Sequence, residues 1–504
     1  MIELRELVSV IINSTQNKVH LKVGSPNNLL QEFLDGVVSG EFTSDSDASY
    51  KLYQTDPNFE NFRKLKDRLK SKLFDKVLQI DFNSNLHSDS QKAYYTCHKQ
   101  LSLVQILLAK SAKHNAIKLA EKLLKKSLKY HLTDVSLELA SILRAHNATN
   151  KGDIKRFEYY NDEVNKLMRC RQAEIVAEEY YHKISINFTI SKAVRPDLEP
   201  IAIQLVNDLN DKYNDVETRQ FKLFQYQLEV SRYQLVEDYE NVIRVCEKAC
   251  AYFSSLDLAL NNMIFIFKFH EFNSYLHLGN FVKGEKVANE AISLIPEGVP
   301  NWFYLHESLL LLAFSTENYN NALDIYKTVS NHPRFEFQYK ARTENWKIYE
   351  AYLNFLIKIK IIETNSNINL KINKFLNEVP IYSKDKRGLN VAILIIQILH
   401  LLVKKDEEEV FNRIHALKMY CHRHLRNNES LRSNCFINLL IQFSKNDLDV
   451  RRTQILGKKY FEKLSETTFD ATKSDVEIIP YEILWDIILN SFGKKPKGVK
   501  RLVA

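Results

Sequence analysis

Three stretches between Asp238 and Pro333 repeat one pattern, and that repeat constrains the fold more than any other feature of the chain. They read DYENVIRVCEKACAYF, YLHLGNFVKGEKVANEAISLIP and NYNNALDIYKTVSNHP. In each, a turn and an aromatic residue (Tyr239, Phe281, Tyr319) precede an amphipathic helix. Small or medium residues follow at three, seven and ten positions: Val242, Cys246 and Ala249; Gly284, Ala288 and Ala291; Ala322, Tyr326 and Val329. That spacing puts the three residues on one helical face. A narrow face lets a second, antiparallel helix approach closely. Asp406–Leu417 is a weaker copy, with Val410, Ile414 and Leu417.

Composition extends the helical reading to the whole chain. Only 11 Gly and 10 Pro occur in 504 residues. So few punctuators leave little room for hairpin turns, which argues against all-β and doubly wound folds. Helical periodicity recurs from Asp89 onward. Paired segments include 90–109 with 115–130, 133–146 with 154–171, and 389–403 with 407–425, and 174–191 is read as a separate helix.

The segment Tyr275–Pro296 resembles a tetratricopeptide repeat (TPR). In that repeat's frame Tyr275, Gly279, Phe281, Gly284, Ala288, Ala291 and Pro296 stand at the family's aromatic, turn, small-residue and proline positions. The spacings here are longer than the family's, at 42 residues from Tyr239 to Phe281 and 38 from Phe281 to Tyr319. The resemblance implies a right-handed α-solenoid of TPR-like hairpins over 86–470. A small, mostly helical domain at 1–85, with room for one or two strands, would precede it. A capping helix and basic tail at 471–504 would follow. The whole chain also resembles uncharacterised bacterial proteins of this length, which implies no activity.

A TPR groove holds an extended or helical peptide. The resemblance places groove positions at Gln227, Ser231, Gln234, Phe269, Asn273 and His277. Ile266, Leu276, and Leu235 in the preceding unit, belong to the same faces. The chaperone-tail-binding subfamily has Lys at the Phe269 position and Asn at the Asn273 position, and only the Asn is present. The alternative is that these side chains pack against the next helix.

Charge is unevenly spread. Residues 1–59 carry four Lys/Arg against eight Asp/Glu, and residues 60–130 carry 16 against six. The second segment's balance of +10 exceeds the chain's net +8. Arg63, Lys64, Lys66, Arg68, Lys70 and Lys72 are therefore candidate nucleic-acid contacts, and the tail 494–501 is a second basic stretch. Solvated helix faces explain the same residues.

Lys18–Val23 (KVHLKV) alternates like a strand, and Val77–Phe82 is its candidate partner or the end of a helix. Phe62, Leu65, Leu69, Leu73 and Val77 form one face of a helix over 59–78. The run Leu389–Val403 is apolar but only 15 residues long and contains Gln397 and His400, so a buried helix is expected rather than a membrane span. The N-terminal MIELRELVSV lacks the pattern of an export signal. The six scattered cysteines suit reduced thiols, and a cytoplasmic, bacterial protein is expected.

No G-x-G-x-x-G, P-loop, G-x-S-x-G or C-x-x-C occurs. Glu179–His182 has the spacing of a di-iron motif but no second copy accompanies it. Cys421, His422, His424 and Cys435 read as a basic helix terminus rather than a zinc site. The expectation is a non-enzymatic interaction scaffold without cofactor or metal. A nucleic-acid-contacting regulator is the first alternative, and an enzyme with an unrecognised site the second.

Overall fold

The structure is a computed structural model that describes residues 1–15, 21–23, 28–57, 59–82, 88–190, 196–256, 258–338, 340–363, 389–404, 407–424, 431–467 and 477–493. The described chain is all-α, with no strand among the described residues. The strand expectation is not met where it can be seen. Val77 and Leu78 end a helix, and Leu21–Val23 are irregular, while Lys18–His20 lie outside the described residues. The basic tail 494–501 also lies outside them.

The N-terminal helices are α1 (Ile2–Thr15), α2 (Leu29–Ser39), α3 (Asp45–Tyr53) and α4 (Glu60–Leu78). Ser44 and Asp47 form a reciprocal capping box that starts α3. Phe62, Leu65, Leu69 and Leu73 of α4 are buried against Leu4, Val8, Phe33 and Leu34, with Val77 partly buried beside them. Gly36 of α2 is needed for close approach, because a Cβ there would overlap the Phe42 ring.

Then come α5 (Asp89–Ala109), α6 (Lys113–Lys129), α7 (Thr133–His146), α8 (Ile154–Ile190), α9 (Glu199–Lys212), α10 (Arg219–Gln234), α11 (Tyr239–Ser255) and α12 (Asn261–His277). They are followed by α13 (Phe281–Ile292), α14 (Pro300–Ser315), α15 (Tyr319–Ser330) and α16 (Lys340–Lys358). The last five are α17 (Leu389–Lys404), α18 (Glu407–His424), α19 (Leu431–Lys445), α20 (Val450–Ser465) and α21 (Tyr481–Phe492). Successive helices pack in pairs, including α5 with α6, α9 with α10, α14 with α15, and α19 with α20.

One expectation fails instructively. The helices expected at 154–171 and 174–191 are a single 37-residue helix, α8. Its buried residues shift face along its length, from Tyr160, Val164 and Leu167 to Ala173, Ala177 and Ile184. The first set packs in a cluster with α7 and the second in a cluster with α10. A change of buried face looks like a break in the periodicity, yet no Gly or Pro interrupts the backbone there.

Six helix ends share one geometry. After α12, Gly279 adopts a left-handed φ of 67°. Its N–H donates to Leu276 O, and the Asn280 N–H donates to Tyr275 O, five residues back. That is a Schellman closure. The same pair of bonds recurs at Ser111/Ala112, His131/Leu132, Glu317/Asn318, Lys360/Ile361 and Asp447/Leu448, and each first-named residue has a positive φ. Only one of these six left-handed positions is glycine.

The chain divides into two compact units. The first is Met1–Glu237 with Glu247–Ile264, and the second is Asp238–Cys246 with Phe265–Ala504. Within the first, the described apolar side chains form three separate clusters. Within the second they form one, running from Phe265 to Leu489 and including Trp346, Tyr349, Tyr352 and Trp485. The helix α17 lies deep in this cluster, with Val391, Ala392, Ile395, Ile396 and Leu399 fully buried. No helix among the described residues is long and apolar enough to cross a membrane.

Candidate docking surfaces

The packing positions of the repeat are where the sequence put them. Val242, Cys246, Ala249, Gly284, Ala288, Ala291, Ala322 and Val329 are buried, and Tyr326 is half-buried. A Cβ on Gly284 would meet Leu276 Cδ2 at 3.3 Å and Tyr275 Cβ at 3.5 Å, so a small residue is required there. In the weaker copy, Val410, Ile414 and Leu417 are buried as well.

The six groove candidates fall three in each unit. In the first unit, Gln227 and Ser231 are buried, and the Ser231 hydroxyl donates to Gln227 O of its own helix at 2.8 Å. Gln234, at the end of α10, is half-buried. In the second unit, Phe269, Asn273 and His277 are half-buried. The Phe269 ring stacks on Phe265, with centroids 5.9 Å apart, and packs on the large core. The His277 ring lies flat on Tyr239 at 3.8 Å and 11°. The first aromatic of the repeat thus packs on the last helical residue of α12.

Next to Phe269, Lys268 bridges Glu271 at 3.1 Å and Glu290 at 3.0 Å. Burial opposes its charge, but the hydrogen bonds to Glu290 and Glu271 outweigh burial and raise its pKa. A cation does stand close to the position where the peptide-clamping subfamily has lysine. It is already held by two carboxylates of its own chain.

The basic helix α4 is similarly engaged. Lys66 Nζ lies 2.6 Å from Asp45 of α3, and Lys70 Nζ lies 2.6 Å from Glu3 of α1. Lys64 pairs with Glu60 at 2.7 Å, and Lys72 reaches Asp75 at 4.0 Å. The N-terminal ammonium joins the same site, 2.6 Å from Asp45. Asp45 and Glu3 accordingly have lowered pKa values: for Glu3 the bond to Lys70 is the leading cause, and for Asp45 the bonds to Lys66 and the N-terminus override burial. Arg63 and Arg68 are exposed. Two cations of residues 60–130, Lys66 and Lys70, thus pair with acids of residues 1–59 and link α4 to α3 and α1.

Two surface features escaped the sequence reading. The first is a cavity of about 490 Å³ between the end of α4 and the face of α5, lined by Leu78, Ile80, Phe82, Thr96, Leu103 and Ile106 among others. Phe82 stacks on Tyr95 at 4.2 Å beside it. Leu78 and Ile106 are 67% and 58% exposed, apolar positions off the main stripes of their helices. The second is on α6, where Lys118, Lys122, Lys125 and Lys129 are all exposed. Their 4-3-4 spacing is visible in the sequence, but only the structure separates them from the paired lysines of α4. At the other end of α6, burial and the charges of Lys151 and Lys113 lower the His146 pKa despite Glu121.

Buried polar groups serve as joints. Glu174 of α8 accepts hydrogen bonds from Thr133 Oγ1 at 2.6 Å and Thr218 Oγ1 at 2.7 Å, which ties the starts of α7 and α10 to α8. Arg219 Nη1 donates to Ser90 Oγ at 2.8 Å at the start of α5. In the second unit Arg432 grips Glu477 through Nε at 3.0 Å and Nη2 at 2.7 Å. It also grips Glu482 through Nη1 at 2.8 Å and Nη2 at 2.6 Å. Glu307 takes bonds from Tyr349 at 2.9 Å and Asn345 at 3.1 Å, and Arg342 lies over the Tyr304 ring.

Glu179 pairs with Lys183 at 2.6 Å, and His182 lies beside Tyr181 and Phe224. Among the described residues no group of His, Cys, Asp and Glu is placed to hold a metal ion. Cys435 is buried, and the side chains of Cys421, His422 and His424 lie outside the described residues. The chain matches no family model, no curated protein and no solved structure.

Proposed function

We propose that the chain is a non-enzymatic interaction protein. In this reading its hairpins form a right-handed TPR-like array that holds an extended or helical segment of another protein. The observation that carries the proposal is the recurrence of one joint. The same Schellman closure links or ends helices from Ser111 to Asp447. Within each unit, helices joined in this way place neighbouring faces side by side, and such surfaces suit elongated ligands.

Gln234, Phe269, Asn273 and His277 are the positions proposed to meet the partner, since each keeps part of its surface open. Gln227 and Ser231 would act by shaping the helix beneath. The six cysteines are scattered along the sequence, which suits reduced thiols, and the bacterial cytoplasm is the proposed setting.

Site-specific photo-crosslinking in the source cell tests this. A benzophenone side chain is placed at Gln234 or Asn273 of the full chain, with exposed Lys458 as control. The expected result is one protein captured from both positions and not from 458. Identical adducts at all three positions, or none at 234 and 273, would sink the proposal.

A further inference from the structure

The lysine ridge of α6 contrasts with the paired lysines of α4. Lys118, Lys122, Lys125 and Lys129 are exposed on one face over three turns, a strip about 16 Å long. None pairs with a carboxylate among the described residues. Lys129 leans over the Tyr130 ring at 5.5 Å. The helices packed against α6 are α5 and α7. Their nearby carboxylates point elsewhere. On α7, Asp134 faces His98 at 3.9 Å, and Glu138 accepts from Gln105 at 3.5 Å, both partners on α5. On α5, Asp89 faces Lys92 at 3.6 Å. The sole acid of α6, Glu121, is held by Arg156 at 3.0 Å.

Like charges at i, i+3 and i, i+4 work against a helix. On α4 comparable charges gain partners from α1 and α3, whereas on α6 they gain none from the fold. We propose that this ridge is a docking strip for the phosphate backbone of duplex nucleic acid, bound without regard to sequence. The strip spans about five base-pair steps of one strand. Phosphates supply the missing counter-charge, and lysine serves as a point-charge contact. The exposed face of α6 carries no Phe, Tyr or Trp, so it lacks the stacking platform by which single strands are gripped. The strip would contribute affinity and orientation, and no base readout.

The test uses the full-length protein and a fluorescently labelled 20-base-pair duplex of mixed sequence, titrated by anisotropy from 50 to 200 mM salt. Four phosphate contacts predict a log–log salt slope of about −3.6. Changing Lys118, Lys122, Lys125 and Lys129 together to Gln should weaken binding at 50 mM salt at least about tenfold and flatten the slope. The matching Lys→Arg variant should keep both. Lys66→Gln with Lys70→Gln and Lys72→Gln should leave binding near the wild-type level. Absence of duplex binding at 50 mM salt overturns the proposal. So does unchanged binding by the Gln variant, loss in the Arg variant, or capture of anionic phospholipid vesicles without capture of duplex. None of these outcomes touches the crosslinking positions Gln234 and Asn273, so the protein-docking proposal stands or falls separately.

Discussion

The two units solve the problem of burial differently. The first divides its apolar side chains among separate clusters around Leu69, Leu139 and Leu228, and joins them with polar staples such as Thr133–Glu174–Thr218. The second gathers its apolar side chains, with two buried tryptophans, Trp346 and Trp485, into one cluster and seals its end with the buried Arg432–Glu477 pair. Small clusters make stability local, because a helix pair can open without exposing its neighbours. A continuous cluster makes it collective. The contrast also sorts the charges. In the first unit ion pairs lie at or near the surface, where each contributes little. The second has exposed pairs too, such as Lys458–Glu462, but it also holds the buried pairs Arg432–Glu477 and Arg342–Glu307, where losing one partner leaves the other stranded.

The largest expected effect probes that last point. Arg432→Met leaves Glu477 buried without its cation and should cost the second unit about 3–5 kcal/mol. Native-state hydrogen exchange should show protection falling together across α14–α21, with the first unit unaffected. Leu139→Ala is the matching lesion in the first unit, and its loss of protection should stay within α5–α8. If Arg432→Met loosens only α21, the second unit is not one cooperative body and the comparison fails.

A smaller effect is set by pH. His400 is 1% exposed, donates from Nε2 to Ala351 O at 3.1 Å, and has its pKa depressed to about 4, chiefly by burial and then by Lys358. The ordinary value is 6.5. Between these values the unfolded chain binds a proton that the folded chain refuses. The stability of the neutral form is therefore fully present above pH 6.5 and is lost as pH falls towards 4. At pH 5 the loss is about 2 kcal/mol. Thermal melts of the second unit should sharpen this: His400→Leu should flatten the slope between pH 6.5 and 5. An unchanged slope would assign the acid lability to other groups.

The smallest effect concerns the joints. Glu317 sits at φ 58°, where only glycine is free of strain. Glu317→Gly should raise stability by about 0.5–1 kcal/mol in denaturant melts, the left-handed strain relieved less the added backbone entropy. A loss of stability would mean that the Glu317 side chain contributes more than its backbone costs.

These joints show what the sequence could disclose. The all-helical class followed from scarce Gly and Pro, and the face of α4 read as Phe62, Leu65, Leu69, Leu73 and Val77 is the one that packs inward. The repeat's buried face was readable because packing acts through residue size at fixed spacing. The joints were not, because their left-handed positions hold Ser111, His131, Glu317, Lys360 and Asp447 rather than the glycine that most often marks such a helix end. The ion pairs of α4 were hidden for a related reason. Lys70 is met by Glu3, 67 residues before it, and a local tally cannot see that pairing. The α5 cavity stayed hidden because its walls come from two helices and only jointly form a concavity.

The long helix α8 has a consequence for how such a chain can change. A turn absorbs an added residue, since its closure depends on a local pair of bonds. In α8, one residue inserted near Cys170 would swing everything beyond it by about 100°. Ala173, Ala177 and Ile184 would then be aimed away from α10, while Tyr160, Val164 and Leu167 stayed seated near α7. Near its middle α8 tolerates length change only in steps of about seven residues, two turns, which return the face to its place. It acts as a phase-keeper: the spacing between repeats can drift at the joints, as it has between Tyr239, Phe281 and Tyr319, but not along this helix.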